Sequence, residues 1–394
     1  MHYIRCLRAP KVSWSGRTAV LDLTFTITTD LGDAFLFPDE PIGLVVTMRC
    51  SDAPETRVWI LSSKQKLFWK GGQRIAKPTF CLPTAAASVL AAGRNAEVCI
   101  STSRQYSADG VHDILKQKQE DDGLVMPAWL VLNPHREEDT DASYRRLGFY
   151  GTSDVKSMDI GEEIGESIAR HIWDGGLVAA CALISDQSDP NTGSHQGSCV
   201  RAVREVVSSS RDLNILELGC GVGILGMALA SLCAKLRPDT DPDHECVLLM
   251  TDLEEAEQRA RFNMARLPSA SNQRLLYENL DWEDGRQGRF GEEVTARQWD
   301  LIVLSDCTYN VDMLPALVET LSALHCLKAA RGDRDRGQTG TKVFLATKPR
   351  HSSEQALFTL MAEHQWEKQQ EQAIPLPAIG AEPQSVELYL FEKR

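Results

Sequence analysis

From Leu213 onward, apolar runs of strand length alternate with longer runs of helical periodicity, and this alternation constrains the fold more than any other feature of the chain. NILEL (Asn214 to Leu218) precedes GILGMALASLCAKL, CVLLMTD (Cys246 to Asp252) precedes LEEAEQRARFNMARL, and LLYENLDW (Leu275 to Trp282) makes a third strand. WDLIVLSD (Trp299 to Asp306) precedes DMLPALVETLSALHCL, and TKVFLATK (Thr341 to Lys348) precedes SEQALFTLMAEHQW. Such a pattern predicts a parallel sheet with helical crossovers. Two last strands, EKQQEQAIPL and SVELYLFEK, have no helix between them and are expected to form an antiparallel hairpin.

The first 130 or so residues carry strand signals instead: TAVLDLTFTIT (Thr18 to Thr28), IGLVVTMRC (Ile42 to Cys50), RVWILSS (Arg57 to Ser63), AEVCIST (Ala96 to Thr102) and LVMPAWLVL (Leu124 to Leu132). Turn clusters such as FPDEP and KGGQ separate them. The polar, acidic segment Asn133 to Ser143 is the expected linker. A chain of 394 residues suits one large domain or two of ordinary size, and the change of pattern sets the expected division at a β-rich module over 1–150 and an α/β domain over 151–394. Within Asp159 to Ile184, apolar residues recur at helical spacing from Ile164 and again from Leu177, and a polar loop, SDQSDPNTGSHQGSC, follows.

Fifty-five acids against 42 bases give a net charge of −13, which argues against sequence-independent binding to nucleic acid phosphates and favours a basic partner. The opening residues hold no apolar run of signal-peptide length, and nowhere do eighteen apolar residues follow one another. The expectation is a soluble protein of the cytoplasm and/or nucleus without membrane partners. Eleven cysteines occur without C-x-x-C pairs or His-rich spacing, so no metal site and no disulfide framework is expected.

In LELGCGVGILG (Leu216 to Gly226), two glycine registers compete. Gly221, Gly223 and Gly226 match the G-x-G-x-x-G of dinucleotide-binding loops, with Asp252 as the ribose acid. Glu217, Gly219, Gly221 and Gly223 match E-x-G-x-G-x-G. A carboxylate at Glu217 would repel a pyrophosphate and attract the ammonium of a methionyl group.

The second register, with the order strand, glycine loop, helix, strand, acid, resembles class I S-adenosylmethionine-dependent methyltransferases. LDW (Leu280 to Trp282), SDCTY (Ser305 to Tyr309) and HIWDGGLVAACAL around Trp173 narrow the resemblance to methyltransferase family 16, dominated by non-histone protein lysine methyltransferases. It covers roughly residues 155 to 394. The resemblance implies a Rossmann-like seven-stranded sheet with a C-terminal antiparallel hairpin, and S-adenosyl-L-methionine as cofactor. It places cofactor contacts on Trp173, Glu217, Gly219, Cys220, Gly221, Gly223, Asp252, Asp281, Trp282 and Ser305. Asp252 would accept from both ribose hydroxyls, and Asp281 and Trp282 would lie beside the adenine. The D-x-x-Y signature falls on Asp306 and Tyr309 as catalytic residues, with Cys307 and Thr308 replacing the usual apolar pair.

Methyl transfer from a sulfonium is an in-line displacement, so the protein chiefly positions the nucleophile. A lysine acceptor must arrive neutral, although its reference pKa is about 10.4. Asp306 is expected to position the ε-amine and Tyr309 to shape the channel. A carboxylate alone would hold the ammonium form, so deprotonation has to come from desolvation, the sulfonium or a water path. The expected partner is a protein with an accessible lysine. Other readings are a histidine, small-molecule or nucleic acid acceptor, a non-catalytic cofactor-binding scaffold, and an NAD-dependent oxidoreductase.

Overall fold

The computed structural model describes residues 1–52, 55–116, 123–132, 140–150, 155–165, 170–185, 198–209, 211–237, 244–268, 272–327, 340–379 and 383–393. The chain divides into two compact units, Met1–His171 with Leu376–Pro383, and Ile172–Pro375 with Gln384–Arg394.

The first unit is built on strands β1 (His2–Cys6), β2 (Lys11–Ser15), β3 (Thr18–Asp22), β4 (Phe25–Thr28), β5 (Ile42–Asp52), β6 (Glu55–Ile60), β7 (Leu67–Trp69), β8 (Thr79–Cys81), β9 (Ala96–Thr102), β10 (Val125–Met126), β11 (Ala128–Leu132), β12 (Ala142–Tyr150) and β13 (Val155–Glu163), with helices α1 (Thr84–Ala91) and α2 (Val111–Leu115). Its main sheet runs β13-β12-β11-β9-β5-β6 with β7 on β5, flanked by smaller sheets β10-β1-β4 and β2-β3-β8. Two runs read as single strands are each broken into two. The run from Thr18 turns at Leu23 and Thr24, so that β3 pairs with β2 and β8 while β4 pairs with β1. Leu124 to Leu132 is interrupted at Pro127, which has no N–H for a ladder; β10 then pairs with β1 and β11 with β9.

The division between units falls after His171 rather than after Tyr150. The reason is the pairing of β12 with β13, continuous from Ala142↔Glu163 to Tyr150↔Val155, which carries the chain past 150 while still in the first sheet. Most of the expected linker, 133–139, lies outside the described residues, and Ala142 and Ser143 are buried in β12. The periodicity noted from Ile164 gives no helix among the described residues before α3 (Asp174–Ile184).

The second unit is an α/β fold with a Rossmann-like sheet of seven strands. These are β14 (Leu213–Leu218), β15 (Cys246–Asp252), β16 (Gln273–Asn279), β17 (Leu301–Ser305), β18 (Lys342–Thr347), β19 (Trp366–Leu376) and β20 (Gln384–Lys393), in the order β16-β15-β14-β17-β18-β20-β19. Neighbours from β16 to β18 are parallel, and β20 runs antiparallel to β18, as the absence of a helix before it predicts. After α3 come α4 (Ser198–Val207), α5 (Ile224–Leu236), α6 (Glu254–Met264), α7 (Trp282–Gly285), α8 (Glu292–Thr295), α9 (Leu314–His325) and α10 (Ala356–Glu363). α4 follows the expected polar loop, in a stretch for which no element was read; its Arg204 is buried and donates to the carbonyls of Leu183 and Ser185 at the end of α3, which a basic side chain can cap. β14 is buried along its length and α3 on every residue, including the polar Asn214 and Glu217 of β14 and Asp174 of α3. One core cluster joins Leu216, Leu218, Ile302 and Leu304 of the sheet to Leu317 and Leu321 of α9. Strand order reverses between β15-β14 and β17-β18, and at such a reversal the carboxyl ends of open α/β sheets leave a crevice for ligands.

Candidate active site

Three glycines after β14 take the left-handed conformation, Gly219 at φ 64°, Gly221 at 53° and Gly223 at 82°. Side chains disfavour this region, so the turn that delivers the chain from β14 into α5 needs glycine at these positions. Gly223 N–H donates to the Cys220 carbonyl at 2.7 Å and its own carbonyl takes the Met227 amide at 2.9 Å, locking the turn onto the helix. Gly226 plays a different part. It lies inside α5, where an added Cβ would stand 2.4 Å from Glu217 Oε2 and 2.5 Å from Met250 Cε.

The two registers are therefore both occupied, for different reasons: the alternate glycines make the loop, and Gly226 brings helix and strand together. Glu217 lies beneath this contact, 1% exposed. Both its carboxyl oxygens lack a well-formed hydrogen bond among the described residues. Burial pushes the Glu217 carboxyl well above the usual range, opposed by the Gly226 amide and aided to a lesser degree by the charge of Asp252.

At the end of β15, Asp252 accepts the Gly221 amide on Oδ2 and the Leu253 amide on Oδ1, each at 2.7 Å. Burial raises its pKa, opposed by these two amides. Asp281 caps α7 by accepting the Glu283 amide at 2.9 Å. The Trp282 ring comes within 3.4 Å of the Cβ position of Gly219, and the Trp282 carbonyl is held by Thr320 Oγ1 at 3.0 Å. Loop, acid and indole thus meet at the carboxyl ends of neighbouring strands.

The other half of the site forms where β17, β18 and α3 meet. Asp306 has a left-handed backbone, φ 51°, and a side chain 5% exposed. Its Oδ2 accepts the Gly176 amide at 3.0 Å, its Oδ1 the Lys348 amide at 3.3 Å, and the Arg350 guanidinium lies 3.7 Å away. Gly175 must be glycine, because a Cβ there would come within 2.5 Å of the Asp306 carboxylate. Ser305 Oγ stands 3.0 Å from the Cβ position of Gly176, so a small residue suits that position. Trp173, immediately before α3, stacks on Tyr309 with ring centroids 6.4 Å apart and planes 5° apart. Arg350 lies over the other aromatic partner of this pair, 5.1 Å from the Trp173 centroid. Burial raises the Tyr309 pKa, with smaller contributions from Cys307, Asp252 and Glu255.

The two departures from D-x-x-Y neighbours have structural partners. Cys307 Sγ faces the Leu218 and Ser305 carbonyls at 3.5 and 3.3 Å, and burial raises its thiol pKa. Thr308 Oγ1 donates to Glu354 at 2.6 Å, and Glu354 accepts the Arg350 and His351 amides at 3.0 Å each.

A profile described as lysine methyltransferase matches residues 152–364, more than half of the chain. The chain belongs to this lysine methyltransferase family. A UPF0665 family protein of Schizosaccharomyces pombe is 25% identical over 363 residues, 91% of this chain and 92% of its own length. Among solved structures, a SAM-dependent methyltransferase of Methanosarcina mazei is 13% identical, covers 47% of this chain and 94% of its own, and has a TM-score of 0.32. An S-adenosylmethionine-dependent methyltransferase of Clostridium acetobutylicum is 11% identical, covers 49% and 89%, and has the same TM-score.

The protein is an S-adenosylmethionine-dependent methyltransferase, and its residues fit that cofactor. Left-handed glycines turn the loop at the strand end, Asp252 stands at the strand end where a ribose is bound, and the buried Glu217 carboxyl, with no well-formed hydrogen bond among the described residues, suits a cationic group. Sequence reasoning missed Asp174, Lys348 and Arg350. Lys348 Nζ pairs with Asp174 Oδ2 at 2.8 Å, the two side chains 7% and 0% exposed. The available signal was the charged K-P-R directly after the apolar strand VFLAT, at the same sheet edge as the glycine loop.

Proposed function

We propose that this methyltransferase acts on the ε-amine of lysine in a non-histone protein of the cytoplasm or nucleus, with Asp306 and Tyr309 at the acceptor. The observation that carries this reading is the parallel Trp173–Tyr309 pair beside Asp306, with Tyr309 56% exposed. Two aromatic faces at a mouth suit a long methylene stem ending in an amine, which gains both apolar and cation–π contact. The family description supports the same acceptor. S-adenosylmethionine supplies an electrophilic methyl group when bound. The chain's own task is then to hold the amine in line, to exclude water around it and to accept hydrogen bonds from it.

The test is incubation of a cell lysate with the purified protein and methyl-tritiated S-adenosylmethionine, followed by hydrolysis of the protein fraction and chromatography of the labelled amino acids. Asp252→Ala serves as the blank. Label in methyl-lysine supports the reading. Label in methyl-histidine, in small molecules or in nucleic acid overturns it.

A further inference from the structure

A lysine methyltransferase faces a conflict between binding and chemistry. A carboxylate that attracts the amine also stabilises its ammonium form, which has no lone pair to give. The surroundings of Asp306 bear on this conflict. Asp306 is matched by Arg350 at 3.7 Å and Asp174 by Lys348 at 2.8 Å, so two acids and two bases share one mostly buried cluster. Both cations come from the three residues after β18, and Glu354 fixes that segment through the Arg350 amide. Arg350 also lies over Trp173, on the aromatic pair proposed to receive the acceptor.

We infer that Arg350 and Lys348 are positioning residues that cancel the charge of Asp306 and Asp174, so that the acceptor lysine is held by hydrogen bonds and aromatic contact while its neutral form is favoured. The inference rests on the lysine reading above. The charged and titratable groups bearing on the acceptor are Asp174 at the start of α3, Asp306, Cys307 and Tyr309 after β17, Lys348, Arg350 and Glu354 after β18, and Asp252 at the end of β15 with Glu255 in α6, whose charges reach Tyr309. Removing one cation from the Asp174–Lys348 and Asp306–Arg350 pairs leaves one of their two carboxylates uncompensated. The bound ammonium is then stabilised, its pKa rises, and the pH at which the lysine becomes reactive rises with it.

The experiment is the pH dependence of single-turnover methylation under saturating S-adenosylmethionine, with the first protein labelled on lysine in the lysate experiment as acceptor. The parent enzyme is expected to show an acid limb at least about two pH units below the free-lysine value of about 10.4. A parent limb near that value overturns the inference without recourse to any variant. Arg350→Gln is expected to move the limb upward by about one pH unit, the scale of a unit charge nearby in a partly buried site, with the rate recovering at high pH. Arg350→Lys should restore the parent limb. A loss by the same factor at every pH in Arg350→Gln, unrepaired by lysine, makes Arg350 merely structural and sinks the proposal. If the parent binds S-adenosylmethionine by calorimetry yet labels no lysine, the acceptor reading has failed and this inference falls with it.

Discussion

The indole of Trp173 lies parallel to the phenol of Tyr309, although the two residues come from different elements, one before α3 and the other after β17. Replacing Tyr309 by alanine removes one wall of the proposed acceptor channel and leaves the glycine loop untouched. A fall in kcat/KM of about tenfold to a hundredfold is expected, with the S-adenosylmethionine Kd unchanged. Tyr309→Phe keeps the stack and should stay within a few-fold of the parent. Steady-state kinetics with parallel calorimetry check this; equal losses in both variants would assign the effect to the hydroxyl.

Gly226 separates the packing role of a glycine from its conformational role. A methyl group there meets the Glu217 carboxyl and Met250 at distances no real Cβ keeps. Gly226→Ala is expected to cost about 1–3 kcal/mol of stability by overpacking, together with a loss of cofactor affinity. Gly43→Ala, where an added Cβ meets nothing and φ is not positive, should change stability by about 0.5 kcal/mol or less. Urea unfolding of the two variants against the parent decides it.

Much of the second unit was legible because burial on both faces writes itself as unbroken apolar runs. β15 was read with its observed ends, and the closing hairpin was visible from a missing helix. The glycine loop was legible because positive φ demands one residue type. The first unit was less so. β1 and β2 are short, and β13 carries Lys156, Asp159, Glu162 and Glu163, so none has the composition of a buried strand. Lys348 and Arg350 were missed for another reason: charge at a strand end reads as ordinary solvent exposure until the Asp174 partner, distant in sequence, is known.

Glu217 links cofactor binding to pH. Its carboxyl is held above the ordinary range first by burial and then by the Asp252 charge, with the Cys220 and Cys307 thiols close by. A cation placed beside it favours ionisation, so binding of S-adenosylmethionine is expected to release a proton. Affinity should rise with pH, by up to about tenfold per unit for one proton, until the pH passes the carboxyl's pKa in the free protein, and then level off. Calorimetry in two buffers of different ionisation enthalpy measures the released proton directly. Glu217→Gln should abolish the buffer difference; a difference that survives would place the proton elsewhere.

In the first unit, Arg145 and Glu162 form an ion pair in which each side chain is 1% exposed, and Arg145 also donates to the Pro127 carbonyl at 2.9 Å. Burial works against the Glu162 carboxylate, but Arg145, His171 and Arg5 outweigh it and hold its pKa far below the ordinary value. A depressed native pKa contributes stability above the unfolded value of about 4.3, and that contribution is lost as pH falls below it. Glu162→Gln leaves the buried guanidinium uncompensated and is expected to cost about 3–5 kcal/mol at pH 7. The deficit relative to the parent should shrink toward pH 3. Denaturant midpoints at the two pH values test the sign, and a deficit that does not change with pH would refute it.

The antiparallel β20 sits between β18 and β19, inside the sheet rather than at its rim. During synthesis every other strand of that sheet leaves the ribosome before Gln384–Lys393 does. Until then the apolar edge of β18, which will later carry Val343 and Leu345 opposite Phe391 and Tyr389, waits without its neighbour. The cofactor loop precedes β20 by more than half of the second unit, while the sheet that supports Lys348 and Arg350 closes only once β20 has been made. A nascent chain of this protein therefore carries an open strand edge for the whole time taken to make α10 and β19, the interval in which a chaperone has most to protect.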